Sequence, residues 1–171
     1  MNVESLQWKS KKLFKLNLFL KFIICGILTS FLFPPFFIMP IGFLVFPLLF
    51  FLLIDQEYKS KRKHFHFISG LLYGFTFNFI VLFWIKEPFL IDNNSKNFYL
   101  ISYLLVFYCS LYYGLCFLFL SLFNNNLSKL VLLPIFFVLC ELLREIIGYG
   151  FPWITFALAS SANTFSLSLI Y

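Results

Sequence analysis

Long apolar runs alternate with short polar or charged breaks along the whole chain, and the breaks divide it into helices of membrane-crossing length. Residues 22–54, between Lys21 and Asp55, are 33 consecutive uncharged positions. One bilayer crossing needs about 20 apolar residues at about 1.5 Å rise each, so this run is long for one helix and short for two. Charge resolves it. Lys9, Lys11, Lys12, Lys15 and Lys21 precede the run, and Lys59, Lys61, Arg62 and Lys63 follow it. Basic flanks stay on the cytoplasmic side, so the crossings between them are even in number and the run is a hairpin. Its tip is placed at Pro34-Pro35, because proline removes a backbone donor and drives the residue before it out of helical geometry.

The next run, about Phe67 to Ile85, returns the chain outward and ends near Trp84, a residue suited to the headgroup level. Its Gly70 and Gly74 are four apart, a spacing that lets a second helix approach closely. About Phe98 to Phe123 then runs inward, Asn124-Asn125-Asn126 turns, and about Leu127 to Ile147 runs outward. From Ile154 to Tyr171 the sequence is uncharged but richer in Ser, Thr, Ala and Asn, the beginning of a further span. On this topology ten of the thirteen basic residues are cytoplasmic, leaving Lys86, Lys96 and Arg144 outside. The fold expected is all-α: a polytopic transmembrane helix bundle of five spans plus the start of a sixth. Residues 1–21 form a basic cytoplasmic N-terminus and residues 22–171 the transmembrane domain.

Composition sharpens this picture. The chain is 61% hydrophobic and 12% charged over 171 residues, with a mean hydropathy of +0.92. An ordinary soluble domain carries about a quarter charged residues, so a soluble reading is ruled out and no room is left for a soluble catalytic domain. The net charge of +6 sits in short loops between apolar runs, a topogenic pattern rather than a nucleic-acid surface. The 28 Phe residues reflect biased filling of lipid-facing positions and carry no functional reading.

Candidate chemistry is concentrated in one place. Glu141, Arg144 and Glu145 lie on an otherwise apolar helix, roughly 18 to 24 Å beyond Lys129 by helical rise. Each charge costs about 2.5 to 3.5 kcal/mol at mid-bilayer. Arg144, at i+3 from Glu141, can offer its planar fork to that carboxylate, and Glu145 is the spare charge. Either the pair is structural, near the outer surface, or it forms a polar site for a lipid headgroup or substrate terminus. Gly148-Tyr149-Gly150-Phe151-Pro152-Trp153 follows, a helix stop and membrane re-entry turn with aromatic anchors. Cys25, Cys109, Cys116 and Cys140 fall inside spans without a CxxC pair and read as small hydrophobes. His64 and His66 sit beside Lys61-Arg62-Lys63 and read as solvated, interfacial residues. No metal site, cofactor motif, phosphate loop or catalytic triad is expected.

Glu141-Leu-Leu-Arg144 followed by Gly150-Phe151-Pro152-Trp153 resembles the membrane domain of apolipoprotein N-acyltransferase, with its Glu-x-x-Arg helix leading into a Gly-Phe-Pro-Trp turn. Phe33-Pro34-Pro35 with Pro40 is similar to that family's first hairpin, Gly70 to Ile85 to its third span, and Leu111-Tyr112-Tyr113-Gly114-Leu115 to its fourth. The resemblance implies the front, membrane-embedded part of an enzyme of the bacterial inner membrane, multi-pass with a cytoplasmic N-terminus. That enzyme moves an acyl chain from a phospholipid to the N-terminal diacylglyceryl cysteine of a lipoprotein. The implied partners are the phospholipid donor, the lipoprotein acceptor and membrane lipids, with no nucleic acid. Glu141, Arg144, Gly150, Phe151, Pro152 and Trp153 are the implied lipid- or substrate-positioning residues. The family's Glu-Lys-Cys triad belongs to a nitrilase-like domain with no counterpart here, so no catalytic residue is carried over and the chain is expected to be a fragment truncated before its catalytic domain, inactive alone. The rival expectation is a non-enzymatic polytopic membrane protein, such as a transporter subunit, with Glu141, Arg144 and Glu145 lining a polar path.

Overall fold

The computed structural model describes residues 3–59, 62–91, 96–148 and 155–160, and within them the side chains of 17–55, 62–91, 96–148 and 155–159. Every regular element among the described residues is helical. In chain order these are α1 (Val3–Ser30), α2 (Pro40–Lys59), α3 (Lys63–Val81), α4 (Glu87–Ile91), α5 (Leu100–Leu120), α6 (Asn126–Ile147) and α7 (Phe156–Ser160). The segment Lys96–Leu120 is long and apolar enough to cross a membrane as one helix, and α3 with the bent segment Phe83–Ile91 passes the same test only if the two count as one span.

The polar breaks in the sequence become the turns. Between α1 and α2 the chain reverses through Pro34-Pro35, whose bond is cis, and the amide of Ile38 closes the turn on the Phe31 carbonyl at 2.9 Å. Pro40 then opens α2, at a helix position where a missing N–H costs nothing. Asn125 caps α6, its side-chain oxygen accepting from the Leu127 amide at 3.0 Å. The basic N-terminal segment is continuous with the first apolar run, since α1 begins at Val3.

One expected element is cut short. The apolar run to Ile85 does not stay helical: α3 ends at Val81, and after Leu82 the chain bends by 60° into a 3-10 turn, Phe83–Lys86, and then α4. Leu82 and Ile85 remain buried, while Trp84 and Glu87 are exposed. The bend thus keeps apolar anchors in the core and carries polar groups to the periphery, where Lys86 lies over the Phe83 ring.

α3 is the centre of the bundle, packed between α1 and α5; α2 lies against α1, α6 against α5, and α2 also touches α6. Glycine makes the central seams close. A Cβ at Gly70 would strike the Tyr113 carbonyl and come within 2.9 Å of the Gly114 Cα, and one at Gly26 would strike the Thr76 hydroxyl. The core between the helices is aromatic, with Phe22, Phe33, Tyr73, Phe77 and Phe117 fully buried. Hydroxyls inside the bundle largely return to their own helix, as when Thr29 donates to the Cys25 carbonyl at 2.7 Å and Ser110 to that of Val106 at 2.6 Å.

The outside is as apolar as the inside. On α6 the buried residues Lys129, Leu133, Phe137 and Arg144 share one face, while Leu127, Leu130, Val131, Val138, Leu142 and Ile146 stand exposed on the others. A helix on the surface of a water-soluble protein shows the opposite arrangement.

Candidate functional site

Helical spacing sets which charged residues of α6 face inward. Lys129, Leu133, Phe137, Cys140, Glu141 and Arg144 recur at intervals of three or four and point toward α5 and α7, whereas Glu145 falls outside the stripe and is exposed. Arg144 is 2% exposed and Glu141 half-buried. Both therefore belong to the inner face of the bundle, and the spare charge, Glu145, is on its surface.

The Glu141 carboxylate is held from a different direction than its spacing to Arg144 suggests. Its Oε1 accepts a 2.7 Å hydrogen bond from the Phe156 backbone amide, at the first residue of α7. A helix start carries amides without intrahelical partners, and a carboxylate there makes a charge-assisted bond. Arg144 also acts electrostatically on Glu141, Cys109, Cys140, Tyr112 and Tyr113. Beyond Arg144, the Gly148 amide closes α6 on the Arg144 carbonyl at 2.7 Å. Gly150, Phe151, Pro152 and Trp153 lie outside the described residues.

Phe156 is anchored twice. Its amide meets Glu141, and its ring sits among Phe33, Phe46, Phe77 and Phe137, with centroid distances of 5.6, 5.6, 6.1 and 5.4 Å. Those four rings come from the α1–α2 turn, α2, α3 and α6. One residue of α7 thus ties the charged end of α6 to the rest of the bundle. Sequence reasoning did not single out Phe156. A backbone donor has no side-chain signature, and one more Phe among 28 gives no signal.

Around this point lie hydroxyls and thiols rather than an acid-base set. Tyr73 and Thr29 hydroxyls are 3.1 Å apart, Tyr108 and Tyr112 hydroxyls bond to each other, and Cys140 Sγ donates to the Tyr112 carbonyl at 3.2 Å. Cys25, Cys109 and Cys116 are fully buried. No group of three or more His, Cys, Asp or Glu side chains gathers among the described residues. The arrangement can hold a polar group at the end of an apolar bundle.

The two histidines part company. His64 is exposed, as a residue next to Arg62 and Lys63 is expected to be, but His66 is 3% exposed and faces the interior. The solvated reading therefore fails for His66, because the first turn of α3 rotates it inward.

Comparison with known proteins adds one finding. The family described as apolipoprotein N-acyltransferase N-terminal domain matches residues 25–170. No curated protein and no solved structure matches the chain.

Proposed function

The chain belongs to the apolipoprotein N-acyltransferase N-terminal domain family, and from that premise we propose that it is the membrane-embedded, lipid-handling part of such an enzyme. The enzyme takes an acyl chain from a phospholipid and passes it to the N-terminal diacylglyceryl cysteine of a lipoprotein. The family match over residues 25–170 carries the reading.

The topology proposed is five spans plus the start of a sixth in the bacterial inner membrane, with residues 1–21 cytoplasmic and 22–171 as the membrane domain. The exposed apolar faces of α5 and α6 support it, since such surfaces suit hydrocarbon rather than water. On this topology the Glu141 and Arg144 end faces outward, toward the side on which lipoproteins mature. Glu141 positions the start of α7 through the Phe156 amide. Arg144 presents buried positive charge to a lipid phosphate or a substrate carboxylate. Gly150, Phe151, Pro152 and Trp153 complete the positioning set. The transfer chemistry is assigned in this proposal to parts of the enzyme other than these positioning groups, and the chain alone is expected to bind lipid and not to acylate.

The test is reconstitution of the chain in phospholipid vesicles with single cysteines placed in a cysteine-free background. Cysteines at Pro34 and Lys96 are expected to label from outside, those at Lys61 and Asn125 only from inside, and a diacylated lipopeptide added to the vesicles is expected to gain no third acyl chain. Labelling of positions 34 and 61 from the same side overturns the topology. Measurable N-acylation overturns the division of labour.

A further inference from the structure

Three contacts fix how α5 and α6 lie against each other. The Tyr112 carbonyl accepts from Cys140 Sγ at 3.2 Å, Tyr113 meets Phe137 at 5.5 Å between ring centroids, and Phe119 stacks on Phe136 at 6.3 Å. Position rises along α5 as it falls along α6, so the two helices are antiparallel. Cys116 lies one turn after Tyr112, between Tyr113 and Phe119, on the face these contacts define. It therefore comes level with Cys140, and the two thiols hydrogen-bond to each other across the helix pair.

The two sulfurs differ in access. Cys116 is 1% exposed, whereas Cys140 is half-buried, with Leu139 and Leu143 exposed beside it on α6. An apolar reagent dissolved in hydrocarbon can follow that surface to Cys140, and Cys116 is then the thiol that resolves the first adduct. A charged reagent loses hydration on the same path and is disfavoured. Bond formation asks the sulfurs to close from hydrogen-bond distance to about 2 Å, a movement of side chains between two helices already packed together.

We propose that Cys116 and Cys140 are a redox pair that a lipid-dissolved quinone oxidises to a disulfide joining α5 to α6. Both S–H bonds break and one S–S bond forms; the two protons and two electrons pass to the quinone, whose carbonyl oxygens become the hydroxyls of the quinol. Cys140 directly precedes Glu141, so the bond pins α6 beside the carboxylate that holds the Phe156 amide. Reduction by a dithiol through exchange releases it. The thiol pair stands on the packing of α5 against α6. The choice of oxidant rests on the membrane reading above, and neither depends on the acyl-transfer reading.

The experiment treats the reduced full chain with decylubiquinone, first in a neutral maltoside detergent and then in phospholipid vesicles, and counts free thiols after denaturation. The parent is expected to lose two of its four free thiols, to form one quinol per chain, and to yield a peptide in which Cys116 is joined to Cys140. Dithiothreitol is expected to restore all four. Cys116→Ala and Cys140→Ala are each expected to cut quinol formation roughly 10-fold or more, while Cys25→Ala and Cys109→Ala leave it within about 2-fold of the parent. Phenylarsine oxide, which bridges two adjacent thiols without oxidising them, is expected to protect the same pair from maleimide. A parent chain of full helicity that keeps four thiols, a bond between any other pair, or undiminished oxidation in Cys140→Ala overturns the proposal. Arsenical protection without oxidation by the quinone overturns it too, since the thiols are then adjacent but not a redox pair. A chain that forms the bond in detergent but fails to enter vesicles breaks the membrane reading, whereas one that enters vesicles and stays reduced breaks this proposal alone.

Discussion

α3 and α6 both pack on α5, and they do so by opposite means. α3 comes in on glycine: Gly70 and Gly74 leave no space for a Cβ against Tyr113, and Gly114 of α5 has Phe67 equally close. α6 comes in on side chains, with Phe137 reaching Tyr113 at 5.5 Å between ring centroids, Cys140 reaching the Tyr112 carbonyl, and a cation buried near each end of its inward face. A backbone-to-backbone seam gains dispersion contact and has no room for charge. A seam spaced by side chains gives up some of that contact and gains the width in which polar groups can sit. Stability and candidate chemistry are thus assigned to two different neighbours of one helix.

Breaking the close seam has the largest effect expected. Gly70→Val pushes side-chain atoms into the Tyr113 carbonyl, which moves only if α5 moves. The cost is expected at the top of the usual overpacking range, about 3 kcal/mol, read as a lower unfolding midpoint in mixed micelles; a midpoint equal to the parent's removes the seam from the account of stability. On the wide seam, Glu141→Leu leaves the Phe156 amide without its acceptor and is expected to cost about 1 to 3 kcal/mol. Glu141→Gln keeps an oxygen in place and is expected to lose less. If Leu and Gln are equivalent there, the hydrogen bond to α7 contributes nothing. Glu145→Gln sits outside both seams and is expected to shift the same midpoint by no more than about 0.5 kcal/mol, so a shift comparable to that of Glu141→Leu redraws the inward face of α6.

The sequence made some of this legible, and what it hid has physical causes. The turns at Pro34-Pro35 and at Asn124-Asn125-Asn126 were readable because proline and asparagine act on the backbone locally; that Asn125 caps α6 came from the structure. The Gly70 and Gly74 spacing correctly announced a close helix partner, since missing side chains are visible in sequence. The 60° bend after Val81 was not readable, because hydropathy stays high through Ile85 and records burial without direction. His66 was assigned to a solvated boundary by its neighbours Lys61-Arg62-Lys63, whereas the first turn of α3 brings it inside, and Lys129, counted among the cytoplasmic basic residues, is buried as well. Glu141 and Arg144 stood out as ionisable residues on an apolar helix. The Glu141 partner did not, being an amide 15 residues away.

The contact order along the chain also fixes how the bundle can be built. α2 meets α1, α3 meets α1, α5 meets α3 and α6 meets α5, so each long helix finds a partner already synthesised ahead of it. Assembly can therefore keep pace with translation, with no helix waiting for one not yet made. Phe156 is the exception that closes the process. The four rings that receive it come from segments spread between Phe33 and Phe137, so its seat exists only once α1 to α6 are in place. Docking of that single side chain is the natural checkpoint between separately paired helices and the packed bundle.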